Sequence, residues 1–224
     1  MTNEADKVKI GGSFVTDSSV NHSGKLTAGT MEISGDFTQN SSKSSNNFAA
    51  SGSHKVTFTS DKKHIVSISS ASSSYSYFNK LDITGAEIEL KYDTYLKNEL
   101  IGEDGVITGK TIVICNNAKV PSVINGNVEI YGNYTLAKDV QIKGSLYFYY
   151  SQFNLSGYTL TVDGNTTSYE STVKLNKGTY NNNGNFSIGN YSRLNIVNSE
   201  DKLNVKGNFS YSGYSTQITS GKIY

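Results

Sequence analysis

A single cysteine in 224 residues leaves no intramolecular disulfide framework. Cys115 closes the apolar run Ile112-Val113-Ile114-Cys115, which predicts a buried small hydrophobe rather than a reactive thiol. Proline occurs once, and no Pro-rich or Gly/Ser linker interrupts the chain, so 1–224 reads as one continuous domain. Arginine also occurs once, at Arg193. With 20 basic and 19 acidic residues scattered to a net charge of +1, there is no basic stripe, which sets nucleic acid aside as a partner. No run is long and apolar enough for membrane insertion, and the polar start at 1–7 reads as disordered rather than as a signal peptide. Apolar spacing of the i, i+3, i+4, i+7 kind never lasts beyond about two turns, so almost no helix is expected. The three histidines, His22, His54 and His64, lack ligand spacing; His54 and His64 could face each other across adjacent strands but are expected at the surface, no calcium loop is present, and no metal or other cofactor is expected.

What the chain does contain is a recurring phrase. Apolar residues alternate, then Gly, then Asn, Asp or Ser, then an aromatic or apolar residue: MEISGDF at 31–37, VEIYGNY at 128–134, VQIKGSL at 140–146, LTVDGNT at 160–166 and LNVKGNF at 203–209. A degraded copy, YNNNGNF, stands at 180–186. From Gly144 through Gly164 and Gly184 to Gly207 the glycines lie about 20 residues apart, the length of one coil of a β-solenoid.

Within a phrase the period of two puts Val162 inward and Asp163 outward, and likewise Val205 inward and Lys206 outward. Gly-Asn supplies residues that take positive φ readily, so the corner is expected to rest on that freedom. The residues after the glycines, Asp36, Asn133, Asn165, Asn185 and Asn208, are expected to stack in hydrogen-bonded ladders. The competing architecture is a β-sandwich with Gly-Asn hairpins. The coil-length spacing favours an all-β, right-handed parallel β-helix of about ten rungs, in which the Ser-rich stretches 41–47 and 69–76 are loops.

The segment Gly52-Ser53-His54-Lys55-Val56-Thr57-Phe58, followed by Tyr77-Phe78-Asn79-Lys80-Leu81-Asp82-Ile83, resembles a pattern in large, repetitive bacterial surface and secreted proteins. The likeness covers most of 24–110. It implies an adhesin-like solenoid module, extracellular on a secreted or cell-surface protein, with other solenoid domains of the same protein as neighbours. The closing Gly221-Lys222-Ile223-Tyr224 opens another repeat, so the chain is expected to be a segment of a longer protein. A narrower stretch, 123–148, is similar to the short rungs of bactofilins, which implies a self-assembling scaffold as the alternative.

Catalysis finds little support. Asp82, Asp93, Asp104, Asp139 and Asp163 are isolated where a glycoside hydrolase needs two carboxylates about one bond, and Arg193 has no acidic companion in sequence. A polysaccharide-active β-helix enzyme is therefore the weakest alternative. Aromatic residues are the one surface feature that stands out. Alternation from Val140 and Ile142 carries Phe148 and Tyr150 inward and leaves Tyr147 and Tyr149 outward, and the same count from Val128 puts Tyr131 outward. Tyr131, Tyr147 and Tyr149 are the expected ligand-binding residues, on a flat face suited to a polysaccharide or cell-surface glycan.

Overall fold

The computed structural model describes residues 1–189, 191–214 and 217–224. The fold is an all-β parallel solenoid, about 11 turns over two compact units, with no helix among the described residues. One unit comprises Met1–Val113 with Ala118–Pro121, the other Ile114–Asn117 with Ser122–Tyr224.

In the first unit each coil contributes two strands to two parallel stacks. One holds Lys7–Ile10, Thr30–Ile33, Lys55–Phe58, Phe78–Asp82 and Thr94–Ile101; the other holds Phe14–Thr16, Phe37–Gln39, Lys63–Ile68, Glu87–Leu90 and Val106–Gly109. Alternation decides what is buried: Met31 and Ile33 point inward, Thr30 and Glu32 less so, and Ile33 stands in register with Ile10 and Phe58. Each coil's apolar side chains are thus covered by those of the next, which is why no coil stands alone. Phe37, Phe48 and Phe78 complete this core with ring centroids 4.7 and 4.9 Å apart for the Phe37–Phe48 and Phe37–Phe78 pairs. The Ser-rich stretches do leave the coil as loops. They are tied back by Gln39, whose Nε2 donates to Asn47 Oδ1 at 2.7 Å and whose Oε1 accepts from Ser70 N and Oγ at 3.2 Å.

Two histidines depart from expectation, because both are buried. His64 donates from Nδ1 to the Gly35 carbonyl at 2.6 Å, while His54 packs against the Phe48 ring at 6.0 Å and has no hydrogen-bond partner on either ring nitrogen. A ring that follows the alternation of its strand goes inside if the coil above and below can cover it, and polarity alone does not keep it out.

The second unit repeats the two-stack plan. Val123–Ile124, Val140–Ile142, Thr159–Val162, Thr179–Asn182, Lys202–Val205 and Lys222–Ile223 form one stack. In it Val140, Leu160, Tyr180 and Leu203 fall in one buried column, and Ile142, Val162, Asn182 and Val205 in the next. Cys115 is buried, as expected. Val162 is fully buried but Val205 only half-buried, because the outer strand pairs with Lys202 and Leu203 and stops short of Val205. The degraded phrase is explained by the same column: Asn182 stands where valine would, and Thr166 Oγ1 donates to its Oδ1 at 2.5 Å while its Nδ2 donates to Gly184 O at 2.7 Å. Tyr180, two residues earlier, is buried with its hydroxyl 2.8 Å from Thr166 Oγ1.

The corners correct the expected role of glycine. Gly144, Gly164, Gly184 and Gly207 do not take positive φ. They are glycine because successive coils touch there: a Cβ on Gly164 would lie 2.7 Å from the Gly144 carbonyl oxygen, and one on Gly184 2.5 Å from that of Gly164. The close approach allows a direct bond, Gly164 N to Gly144 O at 2.9 Å. Beside this column runs the predicted ladder, each side-chain oxygen accepting from the backbone of the next coil: Asn127 from Ser145, Ser145 from Asn165, Asn165 from Asn185 and Asn185 from Asn208, all at 2.9–3.2 Å. Asp36 joins the equivalent ladder in the first unit through Ser13. Asn133 does not belong, since it lies inside the strand Val128–Thr135. Gly164→Ala should therefore cost about 2 kcal/mol, the scale of an overpacked interior. Gly11→Ala, whose Cβ would meet nothing within 4 Å, should leave the denaturation midpoint unchanged.

Candidate functional site

The second unit's other stack carries the tyrosines. Along Leu146–Asn154, Leu146 and Phe148 are buried while Tyr147 and Tyr149 are exposed, as alternation requires. Tyr150 is exposed as well, which corrects the expectation that it points inward. It adopts φ of +47°, and the pairing with Val128–Thr135 steps from Tyr131 opposite Tyr149 to Gly132 opposite Ser151. Tyr150 is thus the extra residue of a β-bulge, where strict alternation fails. The next coil repeats the device with Glu170 at φ of +44°.

A bulge frees backbone donors that need partners inside the coil. Buried serines supply them: Ser151 N donates to Ser171 Oγ at 2.9 Å, and Ser171 N to Ser192 Oγ at 3.2 Å. Each of these serines follows a residue at positive φ, namely Tyr150, Glu170 and Tyr191. The rings before the corner are therefore held on rigid backbone.

Register places Tyr131, Tyr149 and Tyr169 at one position of three successive coils. Tyr131 is half-buried, whereas Tyr147, Tyr149, Tyr150 and Tyr169 are between 37% and 47% exposed. The ring centroids of Tyr149 and Tyr169 are 5.3 Å apart, tilted by 31°, and Tyr150 stands edge-on to both at 4.6 and 5.6 Å. Of the three expected residues, Tyr149 thus sits at the centre, Tyr147 lies two residues along the same strand, opposite Glu129 and Thr167, and Tyr131 is one coil from Tyr149. Tyr150 and Tyr169 were missed. Tyr169 was within reach of the sequence, since it follows Tyr149 by the 20-residue coil length, but the bulge left no such mark.

The hydroxyls of Tyr149 and Tyr150 stay protonated at neutral pH. Partial burial by its neighbours, with Tyr150, Glu129 and Glu170 adding to it, pushes the Tyr149 hydroxyl above its usual range. The Tyr150 hydroxyl is raised first by its hydrogen bond with Tyr169. The cluster therefore presents three apolar ring faces edged by hydroxyls, with those of Tyr149 and Tyr150 neutral. Among the described residues, no group of three or more His, Cys, Asp or Glu side chains comes together in a way that could hold a metal ion. No protein-family model, curated protein or solved structure matches the chain.

Proposed function

We propose that this chain is a non-catalytic binding module of an extracellular bacterial protein, secreted or on the cell surface, that acts in adhesion by holding polysaccharide on its tyrosine cluster. The observation that carries the reading is the register of Tyr149 and Tyr169, with Tyr150 raised beside them by the bulge. Sugar rings present flat C–H faces bordered by hydroxyls, and an exposed tyrosine offers the matching combination of apolar face and polar edge. The resemblance of 24–110 to repetitive bacterial surface proteins supports the setting. A shallow site of this kind gives weak affinity per module, so adhesion would come from repetition along a longer chain.

The test is electrophoresis of the intact chain through gels that embed neutral polysaccharides: a xylan, a β-glucan and a galactomannan. Retention is expected in at least one gel. Combined Tyr149→Ala, Tyr150→Ala and Tyr169→Ala should abolish it while the circular dichroism spectrum keeps its β form, because these rings lie outside the buried core. Retention that survives the triple substitution, or none in any gel, would count against the proposal.

A further inference from the structure

We infer that the sheet face next to the tyrosines binds anionic polysaccharide, with Lys174 and Arg193 pairing its carboxylate or sulfate groups; this rests on the carbohydrate reading above. Past the serine corner the strands Leu146–Asn154, Thr172–Lys174, Arg193–Ile196 and Gln217–Ile218 continue in register. Phe153, Val173 and Leu194 point inward, which turns their neighbours outward. A shallow concavity results, lined by Gln152, Thr172, Lys174, Arg193, Asn195 and Gln217. Amides, a hydroxyl and two cations line it, and no carboxylate does.

Four outward lysines on other strands and corners meet an acid on an adjacent coil: Lys55 with Asp82 at 3.4 Å, Lys63 with Glu89 at 2.9 Å, Lys80 with Glu99 at 3.3 Å and Lys143 with Asp163 at 3.4 Å. Among the described residues neither Lys174 nor Arg193 makes a salt bridge, although both stand on the same kind of ladder. Lys174 is opposite Asn195, and Arg193 is opposite Thr172. The two cations therefore sit on adjacent coils two residues out of step, a diagonal of about 7–8 Å by sheet geometry. Asn195 lies beside them on the same ladder, half-buried, opposite Lys174 on one side and Gln217 on the other.

Two unpaired cations among amides fit a polymer with spaced anions and many hydroxyls. The guanidinium fork can take a carboxylate or sulfate in two parallel bonds, and the amides suit the hydroxyls between. Nucleic acid would ask for a longer basic track than two cations on a chain of net charge +1.

The intact chain should be run at low salt through gels holding polygalacturonate, dextran sulfate or a neutral β-glucan. Retention is expected on an anionic gel, and which one distinguishes a carboxylate from a sulfate ligand. It should weaken with added salt and fall about tenfold in Lys174→Gln/Arg193→Gln, while the charge-conserving Lys174→Arg/Arg193→Lys keeps most of it. Anionic retention unchanged in the double glutamine variant would overturn the inference, as would tighter binding of single-stranded DNA. Retention on the neutral gel alone, lost in the tyrosine triple variant, would overturn this inference and leave the tyrosine reading standing. Anionic retention lost only in the glutamine variant, and not in the tyrosine one, would support the cation face and reject the tyrosine reading.

Discussion

Val162→Asp is expected to destabilise the protein by about 3–5 kcal/mol at neutral pH, lowering the melting temperature by about 10 °C. Val162 is fully buried between Ile142 and Asn182 of the adjacent coils. No lysine or arginine is buried among the described residues, and Val162's polar register partner, Asn182, already has its amide committed to Thr166 and Gly184. The isolated charge must either stay unpaired or take up a proton, and both cost free energy. Thermal denaturation followed by circular dichroism checks this. An unchanged midpoint would mean that Val162 is not in the core.

Acidification from pH 7.5 to 4.5 should remove most of about 3 kcal/mol of stability through His54 alone. Burial is the largest cause of its lowered pKa, about 4 instead of the ordinary 6.5, with a smaller push from the N-terminal ammonium. The gap corresponds to about 3 kcal/mol. Because the folded value is the lower one, the unfolded chain binds more protons between pH 6.5 and 4, so this contribution is complete above 6.5 and is lost as the pH falls towards 4. Glu89, held down at about 2 by Lys63 and Lys91, contributes stability that fades only below its ordinary 4.5, outside most of this window. Urea denaturation at the two pH values should show the loss in the parent chain and much less of it in His54→Phe. A small remainder is expected from His22, which burial shifts the same way. Equal slopes in both proteins would contradict the assignment.

The parts of the fold that were legible in the sequence are those governed by period. Val140, Ile142, Leu160 and Val162 alternate in a strand and recur at coil length, and both facts follow directly from parallel stacking. The glycine phrase was located correctly but for the wrong reason: positive φ is a property of one residue and can be guessed locally, whereas the contact of Gly164 with Gly144 exists only once two coils are stacked. Tyr150 escaped for a related reason, since nothing in Tyr-Phe-Tyr-Tyr-Ser marks a bulge. His54 escaped because its burial depends on Phe48 in a loop of irregular sequence. At the candidate site, Tyr147 and Tyr149 could be read from alternation and Tyr169 from the coil length, while Tyr150, Lys174 and Arg193 needed the register between coils.

The proposed sugar-binding role of the cluster of Tyr149, Tyr150 and Tyr169 is tested most directly by side-chain NMR of the tyrosine rings. Titration of the intact chain with xylohexaose, cellohexaose and mannohexaose should move the ring signals of these three residues together and saturably for at least one sugar. The signal of the buried Tyr180 should stay in place. Saturable shifts confined to other tyrosines, or none with any of the three sugars, would contradict the account.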